Sequence, residues 1–283
     1  MATPEKDTTT GHEWDGIREY NNPLPRWWLT IFYACILWSI GYWILYPSWP
    51  MISSYTTGVL GYSSRDELKV DIAEAQLARK VYSDRIADAK LDDIVKDPQL
   101  MEFALAGGKS AFGDNCAPCH GSAAQGAKGY PNLSDDDWLW GGSLEAIQQT
   151  ILYGIRSHHD DTRVSEMPAF GRDELLSSSQ IADVTGFVMS LTDPKQDPEK
   201  VKAGAAVFAE NCAACHGPDG KGGRDFGAPN LADAIWLYGG DRPSIRATIA
   251  NSRKGVMPHW AGRLPPETIK QLAIYVHALG GGE

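Results

Sequence analysis

The sequence lacks any excess of positive charge. Its 26 Lys and Arg residues stand against 36 Asp and Glu, a formal charge of −10, which argues against a nucleic-acid-binding surface. The chain also lacks the charge-rich, poorly apolar composition of a disordered protein: 43% of residues are hydrophobic and 22% charged, ordinary for a chain that buries a core. A mean hydropathy of −0.31 excludes a protein lying mostly within the bilayer, while leaving room for a single spanning helix. At 283 residues the length suits about two domains.

Charge is absent altogether between Arg26 and Arg65. The first half of this gap, Trp27 to Tyr46, is 20 residues long and carries only Thr30 and Ser39 as conventionally polar side chains. At about 1.5 Å per residue it spans the roughly 30 Å hydrocarbon layer. Trp27 and Trp28 at one end, with Trp43, Tyr46 and Trp49 at the other, suit the two interfacial belts, and Pro47 stops the helix. The alternative is a buried helix of a soluble domain, which rarely runs so long without a charge. No small-x-small cleavage site comes after it, the apolar run exceeds a signal-peptide core, and the preceding segment is net acidic, so a cleaved leader does not fit. Tyr33-Ala34-Cys35 faintly suggests a lipoprotein site, yet membrane-compatible residues continue beyond it, and Cys35 reads as a packed thiol within the span. Arg18 and Arg26 precede the span, whereas the exit side has no Lys or Arg before Arg65. The positive-inside rule then places residues 1–26 in the cytoplasm, and the chain beyond the span, 27–50, on the opposite side of the membrane.

Residues 51–98 read as a linker on the outer side. A polar loop, Ser48 to Ser63, leads to a charged stretch from Ser64 to Lys96. Ser64-Arg65-Asp66-Glu67 has the form of a capping box, and Leu68, Ile72 and Ala75 give the helix it opens an apolar stripe for a neighbour or the membrane surface. No chemistry is assigned to it.

The rest of the chain is an internal repeat. Gly108 to Phe112 and Asn115-Cys-Ala-Pro-Cys-His120 recur 96 residues later as Gly204 to Phe208 and Asn211-Cys-Ala-Ala-Cys-His216. Pro131-Asn-Leu133 and Thr150-Ile151 recur at a shift of 98, and Trp138-Leu-Trp-Gly-Gly142 is matched at the same shift by Trp236-Leu-Tyr-Gly-Gly240. Met167-Pro168 matches Met257-Pro258 at a shift of 90, so the first copy holds an insertion of 98 − 90 = 8 residues near His158 to Thr162. Ile181, Val184, Phe187, Val188 and Leu191 match Ile269, Leu272, Tyr275, Val276 and Leu279 at a shift of 88, on helical spacing. The copies occupy 99–192 and 198–283, joined by Thr192 to Pro198, in which Asp197 caps and Pro198 opens the next helix.

Each copy carries C-x-x-C-H, the c-type haem attachment motif. Thiols of Cys116 and Cys119, or Cys212 and Cys215, can add to the two vinyl groups of one haem, which places His120 or His216 under the iron. A redox dithiol or half a zinc site also uses C-x-x-C, but neither explains the adjoining His or a matched Met downstream. For the sixth ligand Met167 and Met257 are the candidates, since a thioether favours Fe(II) and raises the potential. His158, His159 and His259 lie near them in sequence and would give bis-His iron, but none is matched in the other copy.

On these residues each repeat resembles a small mono-haem cytochrome c domain. The stretch TGHEWDGIREYNNPLPRWW, Thr10 to Trp28, resembles the signature preceding the membrane helix in the dihaem subunit, CcoP or FixP, of cbb(3)-type cytochrome c oxidases, and the resemblance extends to about Gly280. It implies an all-α protein with one N-terminal transmembrane helix and two tandem cytochrome c domains carrying two covalent haem c groups. It further implies that Gly108 and Phe112 pack on Phe187, that Gly204 and Phe208 pack on Tyr275, and that the carbonyl of Pro131 or Pro229 meets the proximal His. The family is understood to exchange its Met loops between modules; the residues alone leave open which Met serves which iron. Some members have a further N-terminal membrane helix that this chain lacks.

The implied function is electron transfer at the bacterial inner membrane, with the haem domains periplasmic. Electrons from a soluble or anchored cytochrome c donor pass to the monohaem subunit and on to the catalytic haem-copper subunit, which reduces oxygen. The chain itself is then not an enzyme, and no nucleic acid is involved. A free-standing membrane-anchored dihaem shuttle differs only in lacking the oxidase. A dihaem peroxidase needs a vacant or displaceable distal site, against which the paired Met candidates argue.

Overall fold

The computed structural model describes residues 9–283; the first eight residues of the N-terminal segment lie outside the described part. The chain forms two compact units, Met1–Ala78 and Arg79–Glu283.

In the first unit, strands β1 (Thr9–Trp14) and β2 (Ile17–Tyr20) make an antiparallel hairpin. Asp15 and Gly16 turn it, with φ of +50° and +85°, as a two-residue hairpin loop with left-handed central residues requires. This hairpin is an addition to the all-α expectation. Helix α1 (Arg26–Leu45) has no residue buried by protein and is long and apolar enough to cross a membrane. Its two polar side chains bond inward, Thr30 Oγ1 to the Arg26 carbonyl and Ser39 Oγ to the Cys35 carbonyl, so neither is left unsatisfied in lipid. Beyond Pro47 the chain turns back, and the amides of Val59 and Leu60 donate to the carbonyls of Ile44 and Leu45, satisfying the open end of the helix. Helix α2 (Ser64–Asp88) starts in this unit, and its residues from Arg79 onward belong to the second. Its cap is Ser63, one residue earlier than the expected capping box, because Ser63 accepts from the Asp66 and Glu67 amides. The Glu67 carboxylate instead faces Tyr62, whose hydroxyl it pushes above its ordinary pKa.

The second unit is helical among its described residues. Helix α3 (Leu91–Lys96) ends the linker, and α4 (Pro98–Asn115), α5 (Ala117–His120), α6 (Leu144–Tyr153) and α7 (Ser178–Ser190) belong to the first repeat. Helices α8 (Pro198–Asn211), α9 (Ala213–His216), α10 (Arg242–Asn251) and α11 (Pro266–His277) belong to the second. Local chemistry sets their starts: Asp97 and Asp197 cap helices that open on Pro98 and Pro198, and Ser177 with Gln180 forms a full capping box.

The helices pair across the repeats. Helix α4 packs on α11 and α8 packs on α7. The expected contacts of Phe112 with Phe187 and of Phe208 with Tyr275 are therefore corrected: Phe112 meets Tyr275 at 5.5 Å between ring centroids, and Phe208 meets Phe187 at 4.9 Å. Both crossings use a glycine. A Cβ on Gly108 would lie 2.4 Å from the Gln271 carbonyl oxygen, and one on Gly204 would lie 2.1 Å from that of Asp183. The short linker after Ser190 holds α8 against α7, as short helix–helix connections do, and this leaves α4 to be covered by α11.

Three cores result. One gathers Val184, Val188, Phe208, Ile245 and Ile249 from α7, α8 and α10. The second gathers Phe112, Ile147, Ile151, Ile269 and Leu272 from α4, α6 and α11. The third buries Ile86, Leu91, Ile94, Leu100 and Ile274, locking the end of α2 and all of α3 onto α4 and α11.

Candidate haem sites

Each C-x-x-C-H forms a short helix directly after a long one. The amides of Cys119 and His120 donate to the Cys116 carbonyl, and those of Cys215 and His216 to that of Cys212. That turn puts the first Cys inward and the second outward: Cys116 and Cys212 are half-buried, Cys119 and Cys215 exposed. His120 Nδ1 lies 3.0 Å from the Pro131 carbonyl oxygen and His216 Nδ1 lies 3.1 Å from that of Pro229. A proton on Nδ1 donated to the carbonyl leaves Nε2 as the ring's electron-pair donor. Burial pushes both imidazoles below their ordinary pKa, the proline carbonyls opposing it more weakly, so the neutral, ligating form is favoured.

The donor set fits haem better than the alternatives. Burial, and then the neighbouring thiol, pushes Cys116 and Cys212 up to about 11, which is the reverse of the acidic thiol of a redox dithiol. Among the described residues no three His, Cys, Asp or Glu side chains are grouped to hold a metal ion on their own. His159 rests between the rings of Tyr153 and His259, at centroid distances of 4.8 and 5.4 Å, and its Nδ1 accepts from the Asp161 amide.

The methionines track the helix exchange. Met257 packs in the core that holds Cys116 and Ala117, and Met167 in the core that holds Cys212 and Ala213. Around them the repeat carries a matched pair of arginines that the sequence reading passed over, set against residues it had matched. Arg163 stacks on Trp140 at 5.2 Å and donates to Thr150 Oγ1; Arg253 stacks on Tyr238 at 4.9 Å and donates to Thr248 Oγ1. Both arginines stand four residues before their Met, a match visible at the same shift of 90.

Two attachment helices, each with its histidine held by a proline carbonyl against a small helical core, define a tandem c-type cytochrome. The comparisons with known proteins name the particular kind. A family model described as the N-terminal domain of cytochrome oxidase-cbb3, FixP, matches residues 6–53, and one described as cytochrome c oxidase, cbb3-type, subunit III, matches 103–188 and again 199–276. A cbb3-type cytochrome c oxidase subunit FixP of Bradyrhizobium sp. strain ORS 278 is 56% identical over 276 residues, covering 97% of this chain and 95% of that one. A CcoP subunit of Cereibacter sphaeroides is 50% identical over 281 residues, covering 99% and 97%, and one of Azospirillum brasilense is 51% identical over 295 residues, covering both chains fully. The chain belongs to the FixP/CcoP family of cbb3-type cytochrome c oxidase subunits.

Proposed function

We propose that the chain is the dihaem electron-relay arm of a cbb3-type terminal oxidase, anchored by α1 with its N-terminus cytoplasmic and its cytochrome domains periplasmic. It takes electrons from a cytochrome c donor and delivers them to the monohaem and catalytic haem-copper subunits, without reducing oxygen itself. Each haem, when bound, supplies a one-electron Fe(III)/Fe(II) couple. Cys116 and Cys119 hold one and Cys212 and Cys215 the other, while Pro131 and Pro229 keep His120 and His216 in the ligating tautomer. The methionines are exchanged: His120 and Met257 would hold one iron, and His216 and Met167 the other. The observation that carries this reading is the sharing of each core by the attachment helix of one repeat and the Met of the other. Thioethers at both irons leave no open position for a substrate, which separates the reading from a peroxidase.

The test uses the assembled oxidase carrying Met257→His. Imidazole favours Fe(III) more than a thioether does, so the potential of the haem at Cys116 and Cys119 falls. That haem is identified by replacing Cys212 and Cys215 with Ser to remove its neighbour. Oxygen uptake driven by reduced cytochrome c drops, while uptake driven by a small reductant that bypasses the arm persists. A fall at the other haem would show that each Met serves its own repeat. Unchanged cytochrome c oxidation despite a shifted potential would put this haem off the main path.

A further inference from the structure

The eight-residue insertion of the first repeat, 155–162 when the two copies are aligned, has no counterpart in the second. Its second residue, Arg156, is held at φ +53°, an uncommon conformation for a side-chain-bearing residue. The guanidinium reaches both Met loops at once. Nε donates to the Gly255 carbonyl at 2.7 Å and Nη1 to the Ser165 carbonyl at 3.0 Å. Gly255 and Ser165 stand two residues before Met257 and Met167 respectively.

The backbone beneath Arg156 is stitched the same way. Ile155 exchanges both its hydrogen bonds with Met257, each 3.0 Å, and on its other side the Arg156 amide donates to the Arg163 carbonyl at 2.9 Å. Gly154 permits this approach: it sits at φ +72°, and a Cβ there would lie 2.3 Å from the Met257 carbonyl oxygen. Two more links join the loops directly, Ser252 Oγ donating to the Met167 carbonyl and Lys254 pairing with Glu166 at 2.5 Å. The guanidinium presents its N–H donors in a planar, rigid fork, one for each of the two carbonyls, whereas a lysine ammonium is a point charge without that fork.

We infer that Arg156 is a positioning residue that clamps the two Met loops together, so that one side chain supports thioether ligation at both irons. The inference rests on the ligand reading above, in which Met167 and Met257 bind iron.

The test is an imidazole titration of the oxidised, haem-loaded full chain, tracking the thioether signal of each haem separately by the hyperfine-shifted methionine methyl resonances of the oxidised form. Arg156→Ala is expected to lower the imidazole concentration that displaces the thioether by about tenfold at both haems, the scale of one lost charge-assisted hydrogen bond. Lys80→Gln, which removes only the exposed ion pair with Asp84 on α2, should shift neither titration measurably. A wild-type chain lacking either thioether signal overturns the ligand reading and the clamp with it. Two wild-type thioether signals, with Arg156→Ala leaving one haem undisturbed, overturn the clamp alone. Should Arg156→Ala fail to retain both haems, Arg156→Lys is read in its place. Its ammonium replaces the fork, so at least one thioether must become easier to displace, and wild-type titrations at both irons refute the inference.

Discussion

Gly108 and Gly204 set how closely the paired helices approach. In both cases the atom that an added methyl would strike is a backbone carbonyl oxygen, of Gln271 or of Asp183, which cannot swing aside as a flexible side chain would. Gly204→Ala should therefore cost about 1–3 kcal/mol, the range for overpacking a tight contact. Gly113 stands on the exposed side of α4 with nothing within 4 Å of its Cβ position. Gly113→Ala should stabilise the chain by about 0.5–1 kcal/mol through helix propensity alone. Thermal melts of the two haem-loaded variants should move in opposite directions from the parent, and a Gly204→Ala midpoint equal to the parent's would mean that the α7–α8 crossing yields.

Lys270, in the second turn of α11, donates to the carbonyls of Ile86, Ala87 and Ala89 at 3.1, 2.6 and 2.7 Å. These are carbonyls at and just beyond the end of α2, where a cation also suits the helix dipole. Lys270→Met keeps most of the apolar stem and removes the donors. Amide exchange over residues 86–96 should then accelerate about ten- to a hundredfold, the equivalent of one or two charge-assisted hydrogen bonds, while α7 and α8 keep their protection. Equal acceleration in α7 and α8 would show that Lys270 acts on global stability instead. Element by element, the sequence was legible where the determinant is local. Asp197-Pro198 marks the start of α8, the C-x-x-C-H turns are set by their spacing, and the uncharged run from Trp27 is α1. Asp15-Gly16 is equally plain as a hairpin turn, though the arginines of that segment drew the reading towards topology. The cap of α2 slipped by one residue because Ser63 and Ser64 offer the same oxygen. Helix pairing was illegible for a physical reason: both repeats carry the same crossing residues, a Gly and a Phe meeting an aromatic ring, so own-repeat and exchanged pairings satisfy the pattern equally. Arg156 left no trace because its partners are backbone carbonyls, which any residue supplies.

At the scale of the molecule the repeats of the sequence and the bodies of the structure do not coincide. The body built on α7, α8 and α10 is continuous in the chain, and the one built on α4, α6 and α11 is assembled from the segments on either side of it. A cut in the linker between α7 and α8 should accordingly fail to separate the repeats. With a specific protease site placed between Thr192 and Asp197, the nicked product should elute as one particle in size-exclusion chromatography and part only in denaturant. Separation in native buffer would show that the α4–α11 and α7–α8 contacts do not hold the halves together.

A polypeptide is made from its N-terminus, and multidomain chains generally complete their N-terminal parts first. Here that order is reversed. The attachment helix bearing Cys116 and Cys119 emerges early, yet Ile269 and Leu272, which close its core, come from the last helix of the chain. Until α11 is made the first attachment site lacks the residues that cover its apolar face, while the core of the second, later in sequence, is complete once α10 is made. The interval between them is a window in which Cys116, half-buried in the finished fold, is without the cover of α11.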